Sequence, residues 1–446
     1  MHNFIEKLKT DQNSRALVMI VMLIAGFFTI YVLNNVATHF EPGTMLYQNK
    51  RVFQLYPPAG NDFRVGSYWP AKNLVETHFA SIGPDGTYPS VYPPLVALIN
   101  LPYTLFDATT AYAIHIVILI LTNLACLLLA VLMTRYFLFD KLDLSDFAAN
   151  VISVLLFFVM AVYIFSSYFF LFSLERGNTD IFAMFFCLLS MWVLIKRPNN
   201  VWLQVIFLSI AVHLKIYPIV LFALLLFKHG KKIFIPALLV NVALLLCLGP
   251  VTALAFLRSL TSGGEGAGIG NSWFSLGNHA SYSYAAGFES SGETTLSSTF
   301  FVIWGIAFLV PLVLWGITVI GIVLKKYSTP SAILFFMVSI PIMHLLPTIS
   351  VDYKLVILGA DVILLLGLII KLFLQKFSWF DLIQMVLLFG VLLILNRSFS
   401  FLDQTKPELF NKYVWVLLLE VFMSVNIFRS QKSCYQPKIN SDINLH

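Results

Sequence analysis

The stretch TAYAIHIVILILTNLACLLLAVLMTR, Thr110 to Arg135, carries no acid or fixed base before its final arginine. At ~1.5 Å of rise per residue it is long enough, as a helix, to cross the ~30 Å apolar layer of a bilayer. Backbone groups in that layer find no water, so an internally bonded helix is the form such a run takes. Apolar runs recur at roughly 16–37, 146–168, 180–195, 201–214, 217–227, 233–250, 299–324, 330–347, 353–371, 378–396 and 412–428. Together they predict an all-α, polytopic helical membrane protein with about twelve transmembrane helices. Those around 201–227 are short enough to be broken or partly re-entrant.

Composition points the same way. Hydrophobic residues make up 59% of the 446 and charged ones 11%, and the mean hydropathy is +0.84. A soluble core of this length would need far more polar surface. The formal charge of +6 fits basic cytoplasmic loops and does not suggest nucleic acid. Cys126, Cys187 and Cys247 fall inside apolar runs and Cys434 in the C-terminal tail. None has metal-ligand spacing, so no disulfide framework, metal or cofactor is expected. MHNFIEKLKTDQNSR precedes an apolar run longer than a signal-peptide core, which reads as a retained first helix.

Positive charge sets the expected topology. Lys7, Lys9 and Arg15, then Arg135 and Lys141, Lys196 and Arg197, and Lys228, Lys231 and Lys232 fall in alternate connections. Lys325 and Lys326, Lys371 and Lys376, and Arg429, Lys432 and Lys438 continue the series. This positive-inside pattern places both termini in the cytoplasm. It predicts one transmembrane domain over 1–432, a cytoplasmic tail over 433–446, and two long extracytoplasmic loops, 38–109 and 251–298. The second is rich in Gly and Ser. The first ends in YPPLVALINLPYTLF, Tyr92 to Phe106, expected to lie as a short helix at the membrane surface with Tyr88, Tyr92 and Tyr103 at the interface.

On this topology the remaining charges share one face. They are Asp62 and Arg64, the run Glu175-Arg176-Gly177-Asn178-Thr179-Asp180, His213 and Lys215, His279, and Asp352 with Lys354. Charges at a membrane boundary are costly, and convergence on one face is what an active site there requires. Each also has a plainer reading. Asp62 pairs with Arg64, Arg176 and Lys215 snorkel from helix ends, Asp180 caps the next helix, His279 is loop surface, and Asp352 pairs with Lys354.

DFRVGSYWPAKN followed by YPSVYPPL resembles the first extracytoplasmic loop of polyprenyl-phosphate-dependent glycosyltransferases of the GT-C superfamily, most of all glycosyltransferase family 87 (the DUF2029 group). SLERGNTDIF and AVHLKIYPIVLFALLLFKHGKK are similar to that family and to the catalytic subunit of GPI mannosyltransferase I. LLPTISVDYKLVIL resembles the family's late Ser-x-Asp segment. The acid of the first loop is a lone Asp after Asn61, not an Asp-x-Asp pair.

The resemblance implies a GT-C fold and transfer of a hexose, mannose favoured, from a polyprenyl-phosphate donor to a lipid or glycan acceptor, with inversion. The expected setting is the extracytoplasmic face of a bacterial inner membrane, among membrane lipids. Asp62 becomes the general base. Arg176, Lys215 and Lys354, with Arg64, become the cations for the departing phosphate. His279 binds acceptor or phosphate; Tyr68, Tyr88 and Tyr92 stack on sugar or hold the loop; Asn178, Asp180, Tyr217 and Asp352 complete the binding set. The rival readings are a transporter or flippase for a lipid-linked sugar or other solute, and a non-catalytic scaffold.

Overall fold

The computed structural model describes residues 2–40, 60–82, 88–89, 92–139, 142, 145–261, 298–324, 329–345, 352–396 and 412–433. The chain is an all-α integral membrane protein. Among the described residues the one sheet is a two-stranded antiparallel ladder pairing Ser81 with Pro89 and Ile82 with Tyr88.

The chain opens with α1 (His2–Thr10) and α2 (Gln12–Phe40). Leu17, Val21, Ile24 and Phe28 recur along α2 at helical spacing and stay exposed, the lipid-facing stripe of a spanning helix. A short turn and α3 (Trp69–Thr77) lead to α4 (Pro94–Ile99), then α5 (Ala108–Met133) and α6 (Asp146–Phe165). Next come α7 (Tyr168–Arg176), α8 (Asp180–Lys196), α9 (Val201–Leu214), α10 (Phe222–His229), α11 (Phe234–Leu245) and α12 (Pro250–Thr261). The second half holds α13 (Ser298–Leu324), α14 (Thr329–Leu345), α15 (Leu358–Gln375), α16 (Trp379–Leu395) and α17 (Lys412–Ser433).

Among the described residues five helices are long and apolar enough to cross a bilayer: Gln12–Val32, Ala108–Tyr136, Asp146–Phe165, Lys354–Gln375 and Val414–Gln431. The number rises to seven if each of two bent pairs counts as one span. Those pairs are α7 with α8, bent by 108°, and Tyr217–Leu245 with Pro250–Ser259, bent by 96°. Val201–Leu214, Phe308–Leu324, Ser331–Leu345 and Trp379–Leu395 are apolar but shorter. About twelve crossings were expected. The difference lies in Val201–Leu214, Ser331–Leu345 and Trp379–Leu395, which at ~1.5 Å of rise per residue fall short of ~30 Å; α13 over its whole 27 residues does not.

The apolar centre is α15, whose span Lys354–Gln375 is 94% buried. Lipid tails are as apolar as leucine, so this burial gains from close packing more than from escape from water. Gly359 and Gly367 permit the approach. A Cβ on Gly359 would lie 2.8 Å from Ile164 Cδ1 of α6 and 3.4 Å from Leu127 Cδ2 of α5, and one on Gly367 would collide with Thr134 at the end of α5. α5 and α15 therefore run side by side in the same direction. At the far end of α15, Arg15 Nε donates to the Leu374 carbonyl at 3.0 Å, while Nη1 donates to the carbonyls of Leu8 and Lys9 at 2.9 and 3.1 Å. One guanidinium thus closes orphan carbonyls at two helix ends.

The segment expected at the membrane surface forms α4 and the 3-10 turn Leu101–Leu105, with Leu98, Ile99, Leu105 and Phe106 exposed. Its tyrosines do not form an interfacial belt. Tyr103 packs edge-on against Phe63 at 5.2 Å, and Tyr92 turns into the polar cluster described below.

Gly367→Val is expected to lower the thermal midpoint in detergent, since forced overpacking of a core costs about 1–3 kcal/mol. Gly390→Ala, whose added Cβ meets nothing within 4 Å, is the control and should leave the midpoint unchanged.

Candidate active site

The site is built on a break in the helical ladder. α7 ends at Gly177, left-handed at φ 66°, and α8 begins at Asp180. A break leaves carbonyls without intrahelical partners, and in a water-poor surrounding the protein must supply donors. Tyr112 Oη donates to the carbonyls of Leu174 and Glu175 at 2.7 and 3.1 Å. The Gly60 N–H donates to the Glu175 carbonyl at 2.7 Å. His115 Nε2 lies 3.1 Å from the Gly177 carbonyl, and Nδ1 lies 3.1 Å from Tyr103 Oη. A carbonyl only accepts, so Nε2 carries the proton and Nδ1 accepts from Tyr103.

These bonds fix the first loop against the break. Gly60 is left-handed at φ 73° and opens the turn Asn61–Phe63, which runs into a π-helical turn, Arg64–Tyr68. A Cβ on Gly60 would come within 2.6 Å of the Tyr112 ring, and one on Gly177 within 2.6 Å of Phe63 Cβ. Phe63 is fully buried on the His115 ring, centroids 4.4 Å apart. Its neighbour Asp62 is thereby delivered to a fixed place.

Asp62 does not pair with Arg64. Its Oδ1 forms an ion pair with Arg176, and its Oδ2 accepts from Asn178 Nδ2 at 3.0 Å. The Arg64 Nε is buried with no partner among the described residues. Asn178 Oδ1 in turn accepts the Asp180 N–H at 3.1 Å, so one amide links both acids. Asp180 does not cap α8. The N-cap is Thr179, without a side-chain cap bond, and the Asp180 carboxylate turns instead to Tyr217 Oη at 2.7 Å and Lys215 Nζ at 3.8 Å.

Lys215 does not snorkel; its side chain is 15% exposed and lies 4.8 Å over the Tyr92 ring. Burial works against its charge, but Asp180, Tyr92 and Asp62 outweigh it and raise the ammonium above its ordinary value. Lys215 pulls the Tyr92 hydroxyl down, yet burial with Asp62 and Asp180 pushes it up on balance. Both acids therefore act on the same lysine–tyrosine pair. Lys354, 4% exposed, lies 3.9 Å over the Tyr217 ring. Among the described residues Lys354 is in no salt bridge, although Asp180 and Lys215 both act on it.

Asp62, Arg176, Asn178, Asp180, Lys215, Tyr217, Tyr92 and Lys354 are thus gathered from five separated stretches, with Arg64 on the same turn as Asp62. Tyr68 is not available to a sugar: it is buried, and its hydroxyl donates to the Phe106 carbonyl at 2.9 Å. His279 lies outside the described residues, and of Tyr88 and Asp352 only the backbone is described. His213 is buried on α9, its Nδ1 unpartnered. No group of three or more His, Cys, Asp or Glu that could hold a metal occurs among the described residues. The sequence reading missed His344, fully buried in the last turn of α14. Its signal was a histidine closing an apolar run on the same face as Lys354. A surface hollow of about 660 Å³ lined by Arg197, Trp202 and Lys232 opens at the beginning of α9, whereas Lys215 follows its end.

Gly177→Ala should lower the thermal midpoint, because a left-handed alanine costs roughly 1–2 kcal/mol and its methyl meets Phe63. The same change should reduce any activity that depends on Asp62. Ala at Gly249, also left-handed but open to space, separates backbone strain from the collision.

The sequence profile described as Glycosyltransferase family 87 matches residues 91–347, more than half of the chain. That range takes in Tyr92, the α7–α8 break, Lys215, Tyr217 and His344, while Asp62 precedes it and Lys354 follows it. No curated protein and no solved structure matches the chain. The chain belongs to glycosyltransferase family 87, and is a membrane glycosyltransferase.

Proposed function

We propose that this chain transfers a hexose, mannose favoured, from a polyprenyl-phosphate-linked donor to a lipid or glycan acceptor, with inversion at the anomeric carbon. The observation that carries the reading is the pairing of unlike halves. A carboxylate oriented by Arg176 and Asn178 shares one cluster with two buried lysines, one of which has no counter-ion among the described residues. An acid to take a proton and cations to receive a phosphate are the two parts this reaction needs.

In the proposed step the acceptor hydroxyl gives its proton to Asp62 as its oxygen attacks the anomeric carbon. The bond from that carbon to the phosphate oxygen breaks on the opposite face, and its electron pair stays with the phosphate. Asp62 Oδ2 accepts one bond from Asn178, and a carboxylate oxygen can accept about two, so a lone pair remains for the acceptor. Lys215 and Lys354 act as point charges on the leaving phosphate. Arg64, with its buried Nε unsatisfied, is a further donor to the same group. Asp180 holds Lys215 and Tyr217 in place. The local likeness of SLERGNTDIF and HLKIYP to GPI mannosyltransferase I supports mannose, and the ordered motifs support a GT-C arrangement.

We further propose a bacterial inner-membrane setting with the site extracytoplasmic and both termini cytoplasmic. The alternation of basic connections supports it, with Arg15 and Leu374 at the end of α15 opposite Lys354. A second reading, transport of a lipid-linked sugar or other solute, draws on Asp361 and Glu420. Both carboxyls are fully buried with neither oxygen hydrogen-bonded among the described residues, and buried acids within a bundle often mark a pathway.

The test is turnover of a panel of polyprenyl-phosphate sugars by the purified protein in detergent, with membrane lipid extract as acceptor and mass spectrometry as readout. Wild type should consume one donor and form a glycosylated product, where transport is impossible. Asp62→Asn should lose about 10²- to 10⁴-fold in rate while the protein stays folded, with a lower midpoint from the lost Arg176 ion pair; near-normal turnover would move the base elsewhere. Lys354→Met should raise the donor KM by about tenfold or more, the weight of a lost bond to a charged group.

A further inference from the structure

His344 has no place in the reading above, yet its position is unusual. The imidazole is fully buried and neither ring nitrogen has a hydrogen-bond partner among the described residues. Buried polar groups are almost always satisfied, so one that is not calls for an explanation. α14 packs on the 3-10 turns Tyr217–Leu221 and Asp352–Ile357, the turns that carry Tyr217 and Lys354. Lys354 is also the charged group that acts on the His344 ring.

Two buried groups on these packed elements therefore lack a direct partner among the described residues. The ammonium rests on an aromatic face in no salt bridge among them, and the imidazole has an N–H that none of them receives. A water would satisfy the ring but not the charge. One anionic oxygen acceptor satisfies both, and a phosphate presents several such oxygens at once.

We propose that His344 is a phosphate-binding residue, donating a ring N–H to a phosphate oxygen of the lipid-linked donor beside Lys354. This deepens the donor assignment above and rests on it. As the anomeric carbon–oxygen bond breaks, its electron pair moves onto the phosphate. The hydrogen bond from His344 strengthens as that charge develops, with no proton transferred. The proton of the acceptor hydroxyl goes to Asp62.

The experiment compares wild type, His344→Leu and His344→Gln for binding of farnesyl phosphate in detergent, for donor turnover, and for thermal midpoint without ligand. His344→Leu should weaken farnesyl phosphate binding about 10- to 100-fold and lower kcat, while its unliganded midpoint holds or rises because an unsatisfied polar group has been removed. His344→Gln, whose amide restores a donor, should recover most of both losses. A lower unliganded midpoint with unchanged affinity would make His344 structural and overturn the proposal. Wild type that turns over the donor beside an equally active His344→Leu would overturn this inference alone. Wild type that neither binds farnesyl phosphate nor turns over any polyprenyl-phosphate sugar would overturn the donor assignment with it. Inorganic phosphate that competes at equal concentration would replace the lipid phosphate with a free anion.

Discussion

The interruption between α7 and α8 is the constraint on which the site depends. A helix that stops inside a bundle exposes carbonyls that cannot turn to water, and each must be answered from elsewhere in the chain. Here the donors come from two places, the hydroxyl and imidazole of α5 and the backbone of the first loop. Satisfying the break therefore also docks the loop, and the loop brings Asp62. The backbone bond from Gly60 to Glu175, and the side-chain bonds from Tyr112 and His115, are structural in origin and in result set the place of Asp62.

Around that break the polar residues form a continuous chain of partners. Arg176 and Asn178 hold Asp62; Asn178 reaches the amide of Asp180; Asp180 holds Tyr217 and Lys215; Tyr217 carries Lys354 on its ring. Charges buried at these depths are tolerated only in such company. The chain runs across elements more than a hundred residues apart and ends at Lys354, which is in no salt bridge among the described residues, at the start of the deeply buried central span.

Much of this was legible in the sequence because the membrane imposes simple rules. Apolar runs without charge specify helices, and basic residues gather in alternate connections, so the few remaining charges stand out. That contrast identified Asp62, Arg176, Asp180, Lys215 and Lys354 before any contact was visible. Pairing was less legible. Asp62 lies two residues from Arg64, and nearness in sequence suggested an ion pair that the turn does not make; the partner is Arg176, brought in by the bend. Asp180 had the composition of a cap but lies one residue inside the helix. Tyr68 reads as an aromatic for sugar, and only packing shows its hydroxyl spent on Phe106. Whether a helix of fourteen to seventeen residues crosses, bends or stops short is likewise decided by its neighbours.

The anchoring of the two halves of the site differs in kind. Lys354 begins the buried central span, whose other end is clamped by Arg15, whereas Asp62 rides on a glycine-hinged turn laid against the bundle from outside. On the proposed reading the first half grips what every donor has in common and the second meets what distinguishes one acceptor from another. A chain organised in this way is modular: its acceptor range can be redrawn by exchanging the loop, with the common grip left in the scaffold. Diversification within such a family would then proceed by loop replacement on a fixed core, and grafting the first loop between members is the natural route to new glycosidic linkages.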